Sequence, residues 1–195
     1  MKNRQENNQK PRKGAARVAI FGNTRALCFA AILAAMSIVL GKFLQIPNPF
    51  GEFIRISFEN LPILLAGLTM GPVSATIIAV VADLLGCVLY GYSINPIVTL
   101  GAATVGLTAG VVGLLFKKKP LLLRVILATV TAHIVGSVLI KSAGLAAWYL
   151  TKYELGFWEF VAWRGVNYAL VSTAEALLLY LLLHNRALQK QFERM

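Results

Sequence analysis

The sequence predicts an all-α integral membrane protein, a six-transmembrane-helix bundle with its N- and C-termini cytoplasmic. Three observations carry that expectation. Hydrophobic residues make up 57% of the chain and charged residues 14%, against about 25% charged in a soluble domain. Apolar residues gather in long runs, with the charges between them. Most of the 19 lysines and arginines sit in three clusters that an alternating chain brings to one side of a membrane.

The apolar runs cover 26–43, 57–70, 72–91, 95–116, 121–148 and 158–184. Crossing about 30 Å of hydrocarbon takes about 20 residues at about 1.5 Å each. The second run is short. Only Met70-Gly71-Pro72 parts it from the third, a helix stop followed by a helix start. The fifth and sixth are long enough to tilt or to project past the bilayer. The first is too long for a cleavable signal peptide and is followed by further spans.

Direction comes from the basic clusters. Lys2, Arg4, Lys10, Arg12, Lys13, Arg17 and Arg25 precede the first run. Lys117, Lys118, Lys119 and Arg124 form one loop, and Arg186, Lys190 and Arg194 the tail. With the N-terminus inside, all three clusters are cytoplasmic. Residues 1–25 thus read as a basic, disordered cytoplasmic tail, 26–184 as the membrane domain and 185–195 as a second basic tail. A net charge of +11 on a soluble chain would suggest nucleic acid. Only Phe21 and Phe192 interleave these clusters, too few to stack successive bases, which argues against it.

Several classes are excluded by what the sequence lacks. There is no GxxxxGK[ST] P-loop, no HExxH, no GxSxG and no cysteine–histidine constellation. An enzyme has no support. Cys28 and Cys87 lie singly inside apolar runs and read as small packing residues. No internal repeat supports an inverted-repeat transporter.

Polar residues inside spans are costly and mark function or pairing. Arg55, Phe58, Glu59 and Asn60 open the second run, and Asp83 and Tyr90 lie in the third. Asn95 and Thr99, four apart, open the fourth. Lys141 is in the fifth, and Arg164 and Asn167 in the sixth. Together they predict a pocket open to the outside for a polar, anionic small molecule. The competing reading is a set of interhelical ion pairs, such as Glu59 with Arg164. Asp83, His133 and Glu175 lie deeper. They read either as a structural hydrogen-bond cluster or as the proton relay of a stand-alone proton-coupled secondary transporter. Phe58, Trp148, Trp158 and Trp163 read either as stacking faces for a flat ring or as interfacial anchors, with anchoring favoured for the tryptophans.

Small residues mark close packing. Ala30/Ala34 and Ala31/Ala35 form two small-xxx-small pairs on the first helix, either packed internally or forming a docking strip for a second membrane protein. Ala102, Gly106 and Gly110 in the fourth read as internal packing.

AAILAA, RISFENLPILLAGLTMGP, VVADLLG and NPIVTLGA, in that order, resemble the substrate-binding (S) component of energy-coupling factor (ECF) vitamin transporters, specifically the folate family. The resemblance runs from about residue 26 to 184. It implies a six-helix bundle in the bacterial plasma membrane that captures a vitamin from outside and catalyses no reaction. It implies a membrane-embedded T component docked on Ala30, Ala31, Ala34 and Ala35, and two cytoplasmic ATPase subunits. No cofactor is implied in this chain; the partner subunits hydrolyse ATP. Arg55 suits a substrate carboxylate in bidentate fashion, and Glu59 and Asn60 suit an aminopyrimidine-like edge. The sequence departs from the folate binders at Glu59, where they tend to carry glycine, and at Ile94-Asn95-Pro96-Ile97, where they tend to be rich in phenylalanine and glycine.

Overall fold

The computed structural model describes residues 24–42, 46–47, 55–146 and 156–185. Residues 1–23 and 186–195 of the basic tails, and Trp148, lie outside the described residues, and of Arg55 only the backbone is described.

Helix α1 spans Thr24–Lys42. It begins inside the stretch expected to be tail. Two two-residue strands follow, β1 (Ile46–Pro47) and β2 (Arg55–Ile56), paired antiparallel with Ile46 opposite Ile56. This ribbon was not expected of an all-α chain. Helices α2 (Leu61–Met70), α3 (Pro72–Leu89) and α4 (Pro96–Leu115) come next. Helix α5 starts as Leu121–Ala132, passes through a π-helical segment at His133–Ile140, and runs on to Ala146. Helix α6 spans Phe157–His184.

Among the described residues five helices (α1, α3, α4, α5 and α6) are long and apolar enough to cross a membrane. The chain is therefore an all-α multi-pass bundle. Helix α2, with 10 residues, rises only about 15 Å.

Prolines set the helix starts. Pro72 and Pro96 occupy first-turn positions, where a missing N–H costs nothing. Gly71 joins α2 to α3 at φ +92°, a left-handed conformation that favours glycine. The Asn95 carboxamide oxygen caps α4 by accepting from the amides of Ile97 and Val98. Threonines within the helices hide their hydroxyls on the carbonyl four residues back, as Thr69, Thr76, Thr104 and Thr131 do.

The bundle has two ends. One carries Thr24, the Gly71 turn, the 116–120 turn and His184. The other carries the ribbon, Tyr90, Asn95, Ala146 and Phe157. Helix α4 is central, touching α2, α3 and α5. Its buried face is small: Ala102, Gly106, Ala109, Gly110 and Gly113. A Cβ at Gly106 would come 2.5 Å from the Ala75 carbonyl oxygen of α3, so the backbones touch there. The internal-packing role expected of these residues holds. Helix α2 is buried from Pro62 to Leu68 and fills the core.

Candidate functional site

Two helices leaving the Gly71 turn reach different heights. Tyr90 lies about 27 Å along α3, while Asn60 lies about 15 Å along α2. The start of α2 is therefore sunk below the level of Tyr90, not set at the outer surface as the sequence suggested. The depression it leaves is a cavity of about 50 Å³. Its polar lining is Ser37, Glu59, Asp83 and Lys141, and its apolar lining includes Ile38, Ile63, Ala79, Ala82 and Ala102.

Glu59 and Lys141 face each other across it. The Lys141 Nζ donates to Glu59 Oε1 at 2.7 Å. The lysine is buried, at 5% exposure, while the glutamate side chain keeps 33%. Glu59 is held from the backbone too. Its carbonyl accepts from Ser37 Oγ at 2.7 Å, and its amide donates to Ser57 Oγ at 3.2 Å. Gly41 of α1 lies against it, where a Cβ would meet Glu59 Cβ at 3.0 Å. The pairing of Glu59 with Arg164 weighed from the sequence is thus replaced by Glu59 with Lys141. Asp83 accepts from Thr99 Oγ1 at 2.6 Å, so Thr99 stands behind the cavity wall.

A second polar group lies in the core. His133 Nε2 and Glu175 Oε2 are 2.5 Å apart, both residues fully buried. His133 Nδ1 meets Ser137 Oγ at 3.3 Å, and Asn60 Nδ2 donates to the same oxygen at 3.5 Å. Arg164 Nη2 donates to the Ser137 carbonyl at 2.9 Å. Its guanidinium lies over the rings of Phe160 and Tyr168, and Tyr168 stacks on His133. Asp83 does not belong to this group, so the trio of Asp83, His133 and Glu175 divides between two places.

Of the predicted pocket residues, Glu59, Asp83 and Lys141 line the cavity and Thr99 supports it. Asn60 and Arg164 join the core network instead. Asn167 is also buried, on the same helix as Arg164. Asn95 caps α4 and donates to the Gly144 carbonyl at 2.7 Å, which engages both ends of its amide. Phe58 is half-buried, and Tyr90 packs on Tyr92 at 6.4 Å. The alanine strip splits. Ala30 and Ala34 are buried in the core, while Ala31 and Ala35 are exposed. Trp158 is 77% exposed, as an interfacial anchor would be.

Sequence reading missed Ser37, Ser57 and Tyr168. Ser37 had a signal: it lies three residues after Ala34 and seven after Ala30, on the face those buried alanines share. Arg124 was grouped with the loop lysines. It is half-buried, and its Nη2 donates to the Leu68 carbonyl at the end of α2 at 2.5 Å, as a C-terminal cap.

The fold and site define a class: a multi-pass helical membrane protein with a recessed, charged niche at one end of its bundle. Comparison with known proteins narrows it. The family described as "ECF transporter, substrate-specific component" matches residues 25–186, and the chain belongs to that family. The folate transporter FolT of Clostridium novyi (strain NT) is 31% identical over 103 residues, 52% of this chain. That match spans 57% of the relative's length. A crystal structure of FolT bound with folic acid superimposes with a TM-score of 0.64 at 25% identity, covering 81% of this chain and 92% of that one.

Proposed function

We propose that this chain is the substrate-capturing S component of an ATP-driven vitamin importer in a bacterial plasma membrane. It takes folate or a related heterocyclic vitamin from the outside and performs no chemistry on it. The observation that carries the reading is the niche itself. A buried lysine–carboxylate pair is expensive to desolvate, and apolar packing would serve stability as well or better. Recognition of a charged, donor-bearing ligand accounts for it.

Among the described residues the niche holds two carboxylates and one lysine. Carboxylates accept only, so its floor suits the adjacent N–H donors of an aminopyrimidine edge, with Glu59 and Asp83 as acceptors. Its volume of about 50 Å³ matches a ring edge, not a whole vitamin, since whole-ligand pockets run to roughly 300–1,000 Å³. The ligand's carboxylates belong above the niche floor, and Arg55, whose backbone in β2 lies at the same end of the bundle, is the proposed bidentate partner for one of them.

Six crossings with cytoplasmic termini belong to the same reading, with α2 counted as a short sixth. The lysines of the 116–120 turn support it, because they share an end with Thr24 and His184. The exposed Ala31 and Ala35 suit close approach of a T-component helix. Two cytoplasmic ATPases supply the hydrolysis, since the chain has no P-loop sequence. The alternative, a stand-alone proton-coupled transporter, needs a relay through Asp83, His133 and Glu175. Asp83 instead bonds to Thr99.

The test is binding by the purified protein in detergent, with a panel of B vitamins and pterins followed by thermal shift and tryptophan quenching. Ligand binding raises stability by RT ln(1 + [L]/Kd), so a tight ligand stands out. Stabilisation by folic acid supports class and substrate together. Stabilisation by another vitamin keeps the class and moves the substrate. Uptake by this chain alone in liposomes under a pH gradient would overturn the proposal.

A further inference from the structure

The lysine at the niche sits at the end of an irregular stretch of helix. In an α-helix the Lys141 amide would bond to the carbonyl four residues back, that of Ser137. It bonds instead to the Gly136 carbonyl, five back, which is the π register. The Ser137 carbonyl, passed over by Lys141, accepts from Arg164 Nη2 at 2.9 Å. A buried carbonyl without a partner is costly, so this donor stabilises the π register over the α register.

The register decides where Lys141 points. Successive residues of an α-helix are about 100° apart, so a one-residue slip swings a side chain by about that angle. Lys141 now runs past Gly101 of α4, where a Cβ would strike Lys141 Cγ at 2.6 Å, and ends on Glu59. An α register would turn it away from Glu59. Arg164 itself does not line the niche. Phe160 and Tyr168 hold the plane of its guanidinium.

From this we infer that Arg164 is a positioning residue for the ligand niche: through the Ser137 carbonyl it fixes the π register that directs Lys141 onto Glu59. The geometric part stands alone. Its relevance to ligand capture rests on the proposed function. The arginine read from sequence as a ligand contact acts through the backbone of another helix.

A double-mutant cycle tests this without any ligand. Glu59→Gln is compared in the unaltered chain and in Arg164→Leu, by thermal unfolding of the full chain in detergent. Arg164 makes no hydrogen bond to Glu59 or Lys141, so an unconnected structural role predicts additive effects. The positioning role predicts that the Tm loss from Glu59→Gln falls to about half or less in Arg164→Leu, because Lys141 has already left the glutamate. Arg164→Lys keeps a cationic donor for the carbonyl and restores the larger loss. If Arg164→Leu gives no folded protein, Arg164→Met, which also has no donor for the carbonyl, takes its place with the same expected sign. Equal Glu59→Gln losses in all backgrounds would overturn the assignment. The cycle decides it even where folic acid fails to bind, an outcome that counts against the proposed function alone.

Discussion

The two ends of the bundle are built on different principles. At the Gly71 end, backbones touch. Gly106 and Gly110 of α4 lie against Ala75 and Pro72 of α3, and Gly67 of α2 lies against Ala109. Arg124 ties off the last turn of α2. Toward the Tyr90 end one such backbone approach remains, Gly101 of α4 against Gly136 of α5, but polar side chains join the helices as well: Lys141 with Glu59, Thr99 with Asp83, and Asn95 with Gly144. Glycine contacts have one arrangement, because there is nothing to rotate. Side-chain contacts can be exchanged for a ligand's. The difference teaches how one small bundle can hold its shape and still yield a site: the Gly71 end fixes the helices and the Tyr90 end stays exchangeable.

That contrast can be broken at either end. The largest expected effect is Gly110→Val. Its side chain would meet the backbone of Pro72, which cannot move without shifting α3. A loss of about 3 kcal/mol in stability is expected, the upper part of the overpacking range, read as a fall in thermal unfolding temperature. Next comes the ion pair, where the two partners are unequal. Glu59→Gln leaves the buried Lys141 without its anion and should cost about 2–3 kcal/mol, less than a fully buried pair because Glu59 is partly exposed. Lys141→Met leaves a carboxylate that water can still reach and should cost about 1 kcal/mol or less. Equal losses would mean that the niche is wetter than the pairing implies. Comparable to Lys141→Met is Asn95→Ala, which removes the α4 cap for about 1 kcal/mol in a helix otherwise well packed. Chemical unfolding of the purified variants checks both.

Much of the Gly71 end was legible in the sequence. Met70-Gly71-Pro72 stops one helix and starts the next by local backbone chemistry, and four-residue spacing of small residues puts them on one face. The charged end was legible only as a set. Residue types costly in lipid mark themselves, and Glu59, Asp83 and Lys141 were found in that way. Their partners were not. Whether Glu59 meets Lys141 or Arg164 depends on the rotation of α5, and that rotation changes at the π segment, which HIVGSVLI does not announce. The split of the alanine strip has a related cause. Ala30 and Ala31 are neighbours in sequence but about 100° apart on the helix, so one pair faces the core and the other faces outward. The short α2 sinks the site below the bundle's rim, and hydropathy alone could show only that the second run was brief.

The most direct measurement is a folic acid titration of three purified proteins: the unaltered chain, Lys141→Met and Lys118→Gln. Each variant loses one positive charge, but from opposite ends of the bundle, and Lys118 is exposed on the 116–120 turn. Capture in the niche predicts that Lys141→Met weakens binding at least about tenfold, equivalent to about 1.4 kcal/mol, while Lys118→Gln binds as the unaltered chain does. Equal affinities in all three, or equal losses in both variants, would contradict a ligand site at Glu59, Asp83 and Lys141.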